Sequence, residues 1–480
     1  MNREHRRIIR NCKCSYEDPG QEMEARHQTG AEVLKVYKKI LPDLLKDLSK
    51  IEDPRNTQKT DHSFTMLMLY GILMFVFHMG SKRQANRKMS RILMENMKVF
   101  FPELDTLPHA DTLSRLLGRI DPDKIEDAII ELLKRLIASK KLDRYKDNGK
   151  YIIAFDGTGK FTREWEWSDS CLKRHVHGMP EDAYKYYTYV LEASIVLPNG
   201  VTIPFMSEFL DRDEFSIECD DSDKLKQDCE LKAFKRLAGR VKSVFPKLGI
   251  AVTLDGLYAN GPVMEILVKH NWDFMITLKS DSLKSIWEDY EGLKKISGIE
   301  KNEGKMINNV KQVFFWANDI EYRYENNRRK QIFVNLVICE ETIYVKNKDT
   351  GKLEIHEQKQ YAWLSSKILT ERNVSRRCNT IGRSRWNIET QNLIEKHHGY
   401  AYEHCFSYDW NAMKCFHYLM HVGHIINILT MHFKELRQLV EKKGVRGTVE
   451  FIFLIFSGCL LDFERIKEKV DVRYQYRFEI

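Results

Sequence analysis

Turn-forming residues are scarce in this chain: 480 residues contain 11 prolines and 24 glycines. That scarcity excludes collagen-like and Pro/Gly-rich low-complexity chains. The ten cysteines, at 12, 14, 171, 219, 229, 339, 378, 405, 415 and 459, include no Cys-x-x-Cys pair and no even framework in a short segment. They predict free thiols in a reducing, cytoplasmic compartment. No apolar run reaches the roughly 20 residues that a bilayer asks for. The nearest, 64–79, contains Thr65, Gly71 and His78 and predicts a buried bundle helix. The start, Met1-Asn2-Arg3-Glu4-His5-Arg6-Arg7, leads into polar Asn11-Cys12-Lys13-Cys14, which does not predict a signal peptide. Ser/His/Asp and phosphate-cradling glycine motifs are missing, and Tyr418 stands where a His-Glu-x-x-His helix starting at His417 would need glutamate.

What is present is a well-mixed globular composition, 43% apolar and 30% charged. Lys+Arg (77) exceeds Asp+Glu (69), a net charge of +8 that suits a polyanionic partner. The length predicts about three domains, one of which can interrupt another.

Residues 1–145 read as a helical region, expected to bind DNA only on the strength of the basic cluster described next, with apolar positions three and four apart (Val33-Leu34-Tyr37; Ile129-Ile130-Leu133-Leu136-Ile137) and turns at Asp53-Pro54, Phe101-Pro102 and Asp121-Pro122. The basic cluster Lys82, Arg83, Arg87, Lys88 and Arg91 reads equally as a solvated or a phosphate-contacting face. The period changes at Tyr151, where Tyr151-Ile152-Ile153-Ala154-Phe155 predicts a strand ending at Asp156-Gly157. Strands at 184–197 and 201–210, a helix at 222–245, a strand at 249–254, a helix at 260–270 and a strand at 274–278 complete a β-β-β-α-β-α-β order over 146–281. A β-rich insertion follows over 282–370, then helices from about 380 to 439, with 371–432 returning to the core and 433–480 a helical tail. The fold class is therefore α/β with an all-α amino-terminal region.

Two aspartates, Asp156 and Asp255, are predicted at the carboxyl ends of strands, where open α/β sheets present functional groups. The alternative for each is an Asp-Gly hairpin turn, weak at Asp255 because helix-like sequence follows. At about 100° per residue, Arg385, Glu389, Asn392 and Lys396 share one narrow stripe of a helix. Alone, Arg385 and Glu389 would be an exposed i,i+4 pair. Together the three carboxylates, Asp156, Asp255 and Glu389, form an oxygen ligand set suited to two Mg²⁺ or Mn²⁺ ions and to phosphodiester chemistry.

This triad, in its strand-helix context with an insertion before the glutamate helix, resembles the DDE transposases of bacterial cut-and-paste insertion sequences. Residues 150–430 carry the resemblance, with 99 residues from Asp156 to Asp255 and 134 from Asp255 to Glu389. One branch has a Tyr-x2-Arg-x3-Glu-x6-Lys signature; Arg385, Glu389 and Lys396 match it, and Gly382 stands at the tyrosine position. The resemblance implies an RNase H-like core, cleavage of transposon ends and strand transfer through a hairpin, and Arg385 and Lys396 on the end phosphates. It also implies terminal repeats and target DNA as partners, and at least a homodimer. The alternatives are a non-catalytic DNA-binding derivative and a simple RNase H-like nuclease.

Further basic residues, Arg328 and Arg329 in the insertion and Arg372, Arg376, Arg377 and Arg383 before the glutamate helix, predict a DNA track. Trp316 is a candidate shelf for a flipped base, against a packing role. His417, His421 and His424 on one helix face read as packed histidines more than as a zinc site, and Asp211, Asp213, Asp220, Asp221 and Asp223 as a solvated acidic loop.

Overall fold

The computed structural model describes residues 16–480 except 99–106, 177, 179–182, 213–221, 297, 305, 325–328, 349, 463, 465, 467, 469 and 471–473; at 57 and 222–229 only the backbone is described. The chain forms two compact units, one of residues 1–135, 398–401 and 409–480, the other of 136–397 and 402–408.

The first unit is helical. Pro19–Leu48, capped by Asp18 accepting from the Gly20 and Gln21 amides, is followed by Phe64–Val76, Lys82–Lys88, Arg91–Met97, Ala110–Leu117 and the start of Pro122–Ala138. The apolar run is a buried helix as expected, with Ser63 as its cap and twelve of its thirteen residues buried. Among the described residues no helix is long and apolar enough to cross a membrane. Trp410–Met431 and Arg437–Gly458 also belong to this unit. The division expected after 432 is therefore not where the units part. The reason is burial: from Cys415 to Met431 every residue is buried, so this helix needs apolar neighbours all round. His417, His421 and His424 are 1%, 4% and 6% exposed within it.

The second unit is built on one ten-stranded sheet: β1 Tyr151–Arg163, β2 Leu172–His175, β3 Tyr184–Val196, β4 Thr202–Phe209, β5 Ile250–Leu254, β6 Asp273–Thr277, β7 Glu300–Glu303, β8 Val310–Tyr324, β9 Lys330–Lys346 and β10 Leu353–Ser365. Their order is β2-β3-β1-β5-β6-β10-β9-β8-β7, with β4 also on β3. The β1–β5 and β5–β6 pairs are parallel and the others antiparallel. Helices Ser222–Val244 and Gly261–Lys269 make the crossovers.

Two expectations change here. The segment 282–370 opens with a helix, Lys284–Lys295, whose Ile286 and Tyr290 are buried one turn apart. Its strands continue the central sheet, because β10 pairs with β6. One apolar cluster accordingly runs from Ile152, Ala154 and Ala251 through Met275 to Phe314, Trp316, Val337 and Trp363, and is covered by Leu369, Val374, Cys378, Ile381 and Ile388. Trp316 is 1% exposed inside it and presents no face to a base. An indole at the centre of a sheet core is a packing group.

Candidate active site

β1 does not stop at Asp156. It runs on to Arg163 in antiparallel register with β3, Asp156 opposite Glu192, while its parallel pairing with β5 ends at Ala154–Thr253. Asp156 thus lies where β1 parts from β5, and Asp156-Gly157 is not a turn. Strand alternation then decides what the aspartates face. Ile152 and Ala154 on β1 and Ala251 on β5 belong to the cluster that includes Ile388. Asp156 and Asp255 follow at the same parity and the same level. Thr253 donates to the Gly382 carbonyl at 3.4 Å, which draws the chain before the glutamate helix onto this face.

That helix, Arg385–His397, carries Ile388 into the core, and Asn392, one turn on, donates from Nδ2 to Asp156 Oδ2 at 3.1 Å. Arg385 donates from Nη1 to Glu389 Oε1 at 2.6 Å, the guanidinium 13% and the carboxylate 49% exposed. The stripe read from helical geometry is therefore formed. Lys396 pairs with Glu403 at 3.1 Å. Asp255 caps the short turn Gly256–Tyr258, its Oδ1 accepting from Leu257 N at 2.9 Å.

Electrostatics single out Asp156. Burial first, then the charges of Glu389, Glu230 and Asp255 opposed by Arg385, push its carboxyl up to about 7. Such a raised carboxyl marks negative charge gathered in a low-dielectric place, which a cation relieves. The donors are all oxygen, which fits a hard divalent ion, although the oxygens of the three residues do not all lie within 4.8 Å of one another.

Gly382 has a local cause. It ends a π-turn, Arg377–Gly382, against the Trp363 indole, and a Cβ there would fall 3.0 Å from Cε2 and Nε1. Any side chain at this position would press its Cβ on the indole.

The expected DNA track divides. Arg377 is 6% exposed and donates to Ser365 Oγ at 3.0 Å and to the Phe274 carbonyl at 3.1 Å, so it is a core tie and is unavailable to phosphate. Arg376 pairs with Asp147 at 2.6 Å and stays half exposed. Arg383 pairs with Glu341 at 2.6 Å and lies 4.5 Å from the Tyr361 ring centroid. Arg329 and Arg372 are exposed. Arg328, and four of the five aspartates of the acidic loop (213, 220, 221 and 223), lie outside the described residues or side chains.

A fourth carboxylate was not expected. Glu230, on the helix under the opposite face of the sheet, is 7% exposed and accepts from Tyr189 Oη at 2.9 Å and from Tyr258 Oη at 2.8 Å. Its partners lie 41 and 28 residues away, and no periodicity signals them. The one hint is Gly157, next to Asp156, where a Cβ would fall 2.7 Å from Glu230 Oε2.

Residues 45–133 match a family model described as DDE_Tnp_1-associated. No curated protein matches the chain. Among solved structures, the cryo-EM structure of a piggyBac transposase synaptic complex with hairpin DNA is similar over 92% of this chain and 82% of that chain, at 12% identity and a TM-score of 0.35.

Proposed function

We propose that this chain is a DDE-type DNA transposase, cutting the ends of a bacterial insertion sequence and joining them to target DNA. The observation that carries the reading is the placement of Asp156 and Asp255 at one level on adjacent parallel strands, with the helix of Glu389 laid over them and tied to Asp156 through Asn392. The order of three antiparallel strands, helix, strand, helix, strand and glutamate helix supports an RNase H-like core. The DDE_Tnp_1-associated match over 45–133 supports the same family.

Asp156, Asp255 and Glu389 would hold two Mg²⁺ or Mn²⁺ ions, which when bound activate a water or a 3′-hydroxyl and stabilise the leaving oxygen. Asn392 orients Asp156 by holding Oδ2, and the Leu257 amide orients Asp255 by holding Oδ1. Arg385, mostly buried against Glu389, offers its remaining guanidinium donors to a phosphate of the transposon end. Lys396, on the same stripe, adds a second cation. Hydrolysis of one strand would free a 3′-hydroxyl, whose attack on the opposite strand gives a hairpin; reopening and a second attack join the end to target DNA. Pairing two ends calls for at least two copies of the chain.

The test is a labelled duplex carrying the inverted repeat beside the gene, incubated with Mg²⁺ or Mn²⁺ and wild type, Asp156→Asn, Asp255→Asn or Glu389→Gln. Nicked or hairpin products that vanish in all three variants, with DNA binding retained, are expected. Cleavage surviving in Asp255→Asn rejects the assignment. Binding without cleavage by wild type points to a non-catalytic derivative, and cleavage without joining to a simple nuclease.

A further inference from the structure

We propose that Glu230 is a positioning residue of this site: one buried carboxylate that ties the segment of Asp255 to the strand pair of Asp156. The inference rests on the reading of Asp156 and Asp255 as a divalent-ion site. Tyr258, which donates to Glu230 Oε1 at 2.8 Å, is the third residue after Asp255, in the turn that Asp255 itself caps. Tyr189, which donates to Oε2 at 2.9 Å, lies on β3 opposite Gly159 of β1. The two phenols thus reach one carboxylate from the two segments whose separation sets the distance between the aspartates.

β1 is shaped to admit this tie. Any side chain at Gly157 would collide with both the Tyr189 hydroxyl and Glu230 Oε2. The missing Cβ opens the underside of the strand beside Asp156, and the phenol-carboxylate pair fills the space. Below the sheet the tie continues into packing, with the Phe234 ring 5.1 Å from both Phe155 and Tyr258. Glu230 acts from beneath, through hydrogen bonds to neighbours of the aspartates, in the manner of groups that orient metal ligands without touching the metal.

The test uses the full-length protein, freed of metal by chelation and titrated calorimetrically with Mn²⁺ alone. Tyr189→Phe/Tyr258→Phe keeps ring volume and leaves the Glu230 side chain in place but removes both ties; it is expected to weaken Mn²⁺ binding by about tenfold or more. Glu230→Gln keeps one acceptor oxygen and gains an amide donor that the other phenol oxygen can accept, and should stay within about threefold of wild type. Mn²⁺ binding by the double phenylalanine variant equal to that of wild type overturns the proposal. So does a loss in Glu230→Gln as large as in Glu230→Ala with the phenylalanine variant unaffected, since charge or direct ligation would then be the cause. Asp255→Asn separates the two levels. If wild type binds Mn²⁺ and Asp255→Asn does not, the site stands and the phenylalanine result judges Glu230 alone. If Asp255→Asn binds like wild type, the site reading fails and the inference falls with it.

Discussion

Replacing Gly382 by alanine adds one methyl group at a place where the structure has none to spare. The new Cβ would lie 3.0 Å from two atoms of the Trp363 indole, some tenths of an ångström inside ordinary contact. The indole cannot simply yield, being 2% exposed and stacked on Tyr361 with centroids 5.8 Å apart. Overpacking of this kind costs about 1–3 kcal/mol, against which alanine regains about 0.5–1 kcal/mol of helical propensity over glycine. The net loss is roughly 0–2.5 kcal/mol, or up to about 10 °C of melting temperature in a unit of this size. Gly239, inside the helix Ser222–Val244 with nothing within 4 Å of its virtual Cβ, is the control: there the propensity gain stands alone, and alanine should stabilise by about 0.5–1 kcal/mol. Thermal and urea unfolding of both variants decide the matter. Gly382→Ala as stable as Gly239→Ala would refute the packing argument and reopen room for a tyrosine at 382.

Four further outcomes are expected. Arg385→Ala should reduce end cleavage more than DNA affinity, because its guanidinium serves the glutamate of the site; equal losses in cleavage and gel-shift assays would make it a general phosphate contact. Gly157→Ala, which forces the Tyr189 hydroxyl and Glu230 apart, should cost about 1–3 kcal/mol and lower Mn²⁺ affinity together. Arg377→Ala should cost about 1–3 kcal/mol, since two buried acceptors each lose one charged donor while keeping a backbone one, yet leave the DNA affinity of the folded protein unchanged; a selective loss of DNA binding would contradict its role as a core tie. His78 is held down to about 4 by burial first and then by His424, Arg446 and His398. The unfolded chain therefore takes up its proton first, and stability is lost as pH falls from about 6.5 to about 4, by roughly 3 kcal/mol in total. Unfolding free energies that depend on pH identically in wild type and His78→Asn would disprove this.

Much of the sheet was legible because its strands are short apolar runs closed by polar residues, as in Tyr151 to Phe155 and Ile250 to Leu254. The exact place of Asp156 was not. Gly157-Thr158-Gly159 reads as a turn, and only the antiparallel partner β3 carries β1 onward through it. Lys284–Lys295 was lost among β-rich neighbours although Ile286 and Tyr290 sit one turn apart. The helix stripe of Arg385, Glu389 and Asn392 was readable because it depends on local geometry alone. Arg377 and Trp316 were misjudged for the opposite reason: whether a guanidinium or an indole meets solvent depends on what crosses it from far along the chain. Glu230 belongs with them, its meaning supplied by two distant tyrosines.

The outermost strand, β7, is four residues long, Glu300-Lys301-Asn302-Glu303, and mostly exposed. Lys301 and Lys311 both pair with Glu303, at 2.8 and 3.4 Å, so the last hydrogen-bonding rim of a ten-stranded sheet is short and fringed with charge. A rim of that kind discourages a strand from another molecule from adding to it. Colloidal behaviour is affected on this side: the charged four-residue strand ends the sheet with the protein's own chain in place of an open template. On the β7 side, then, two copies are kept from joining by lengthening the sheet.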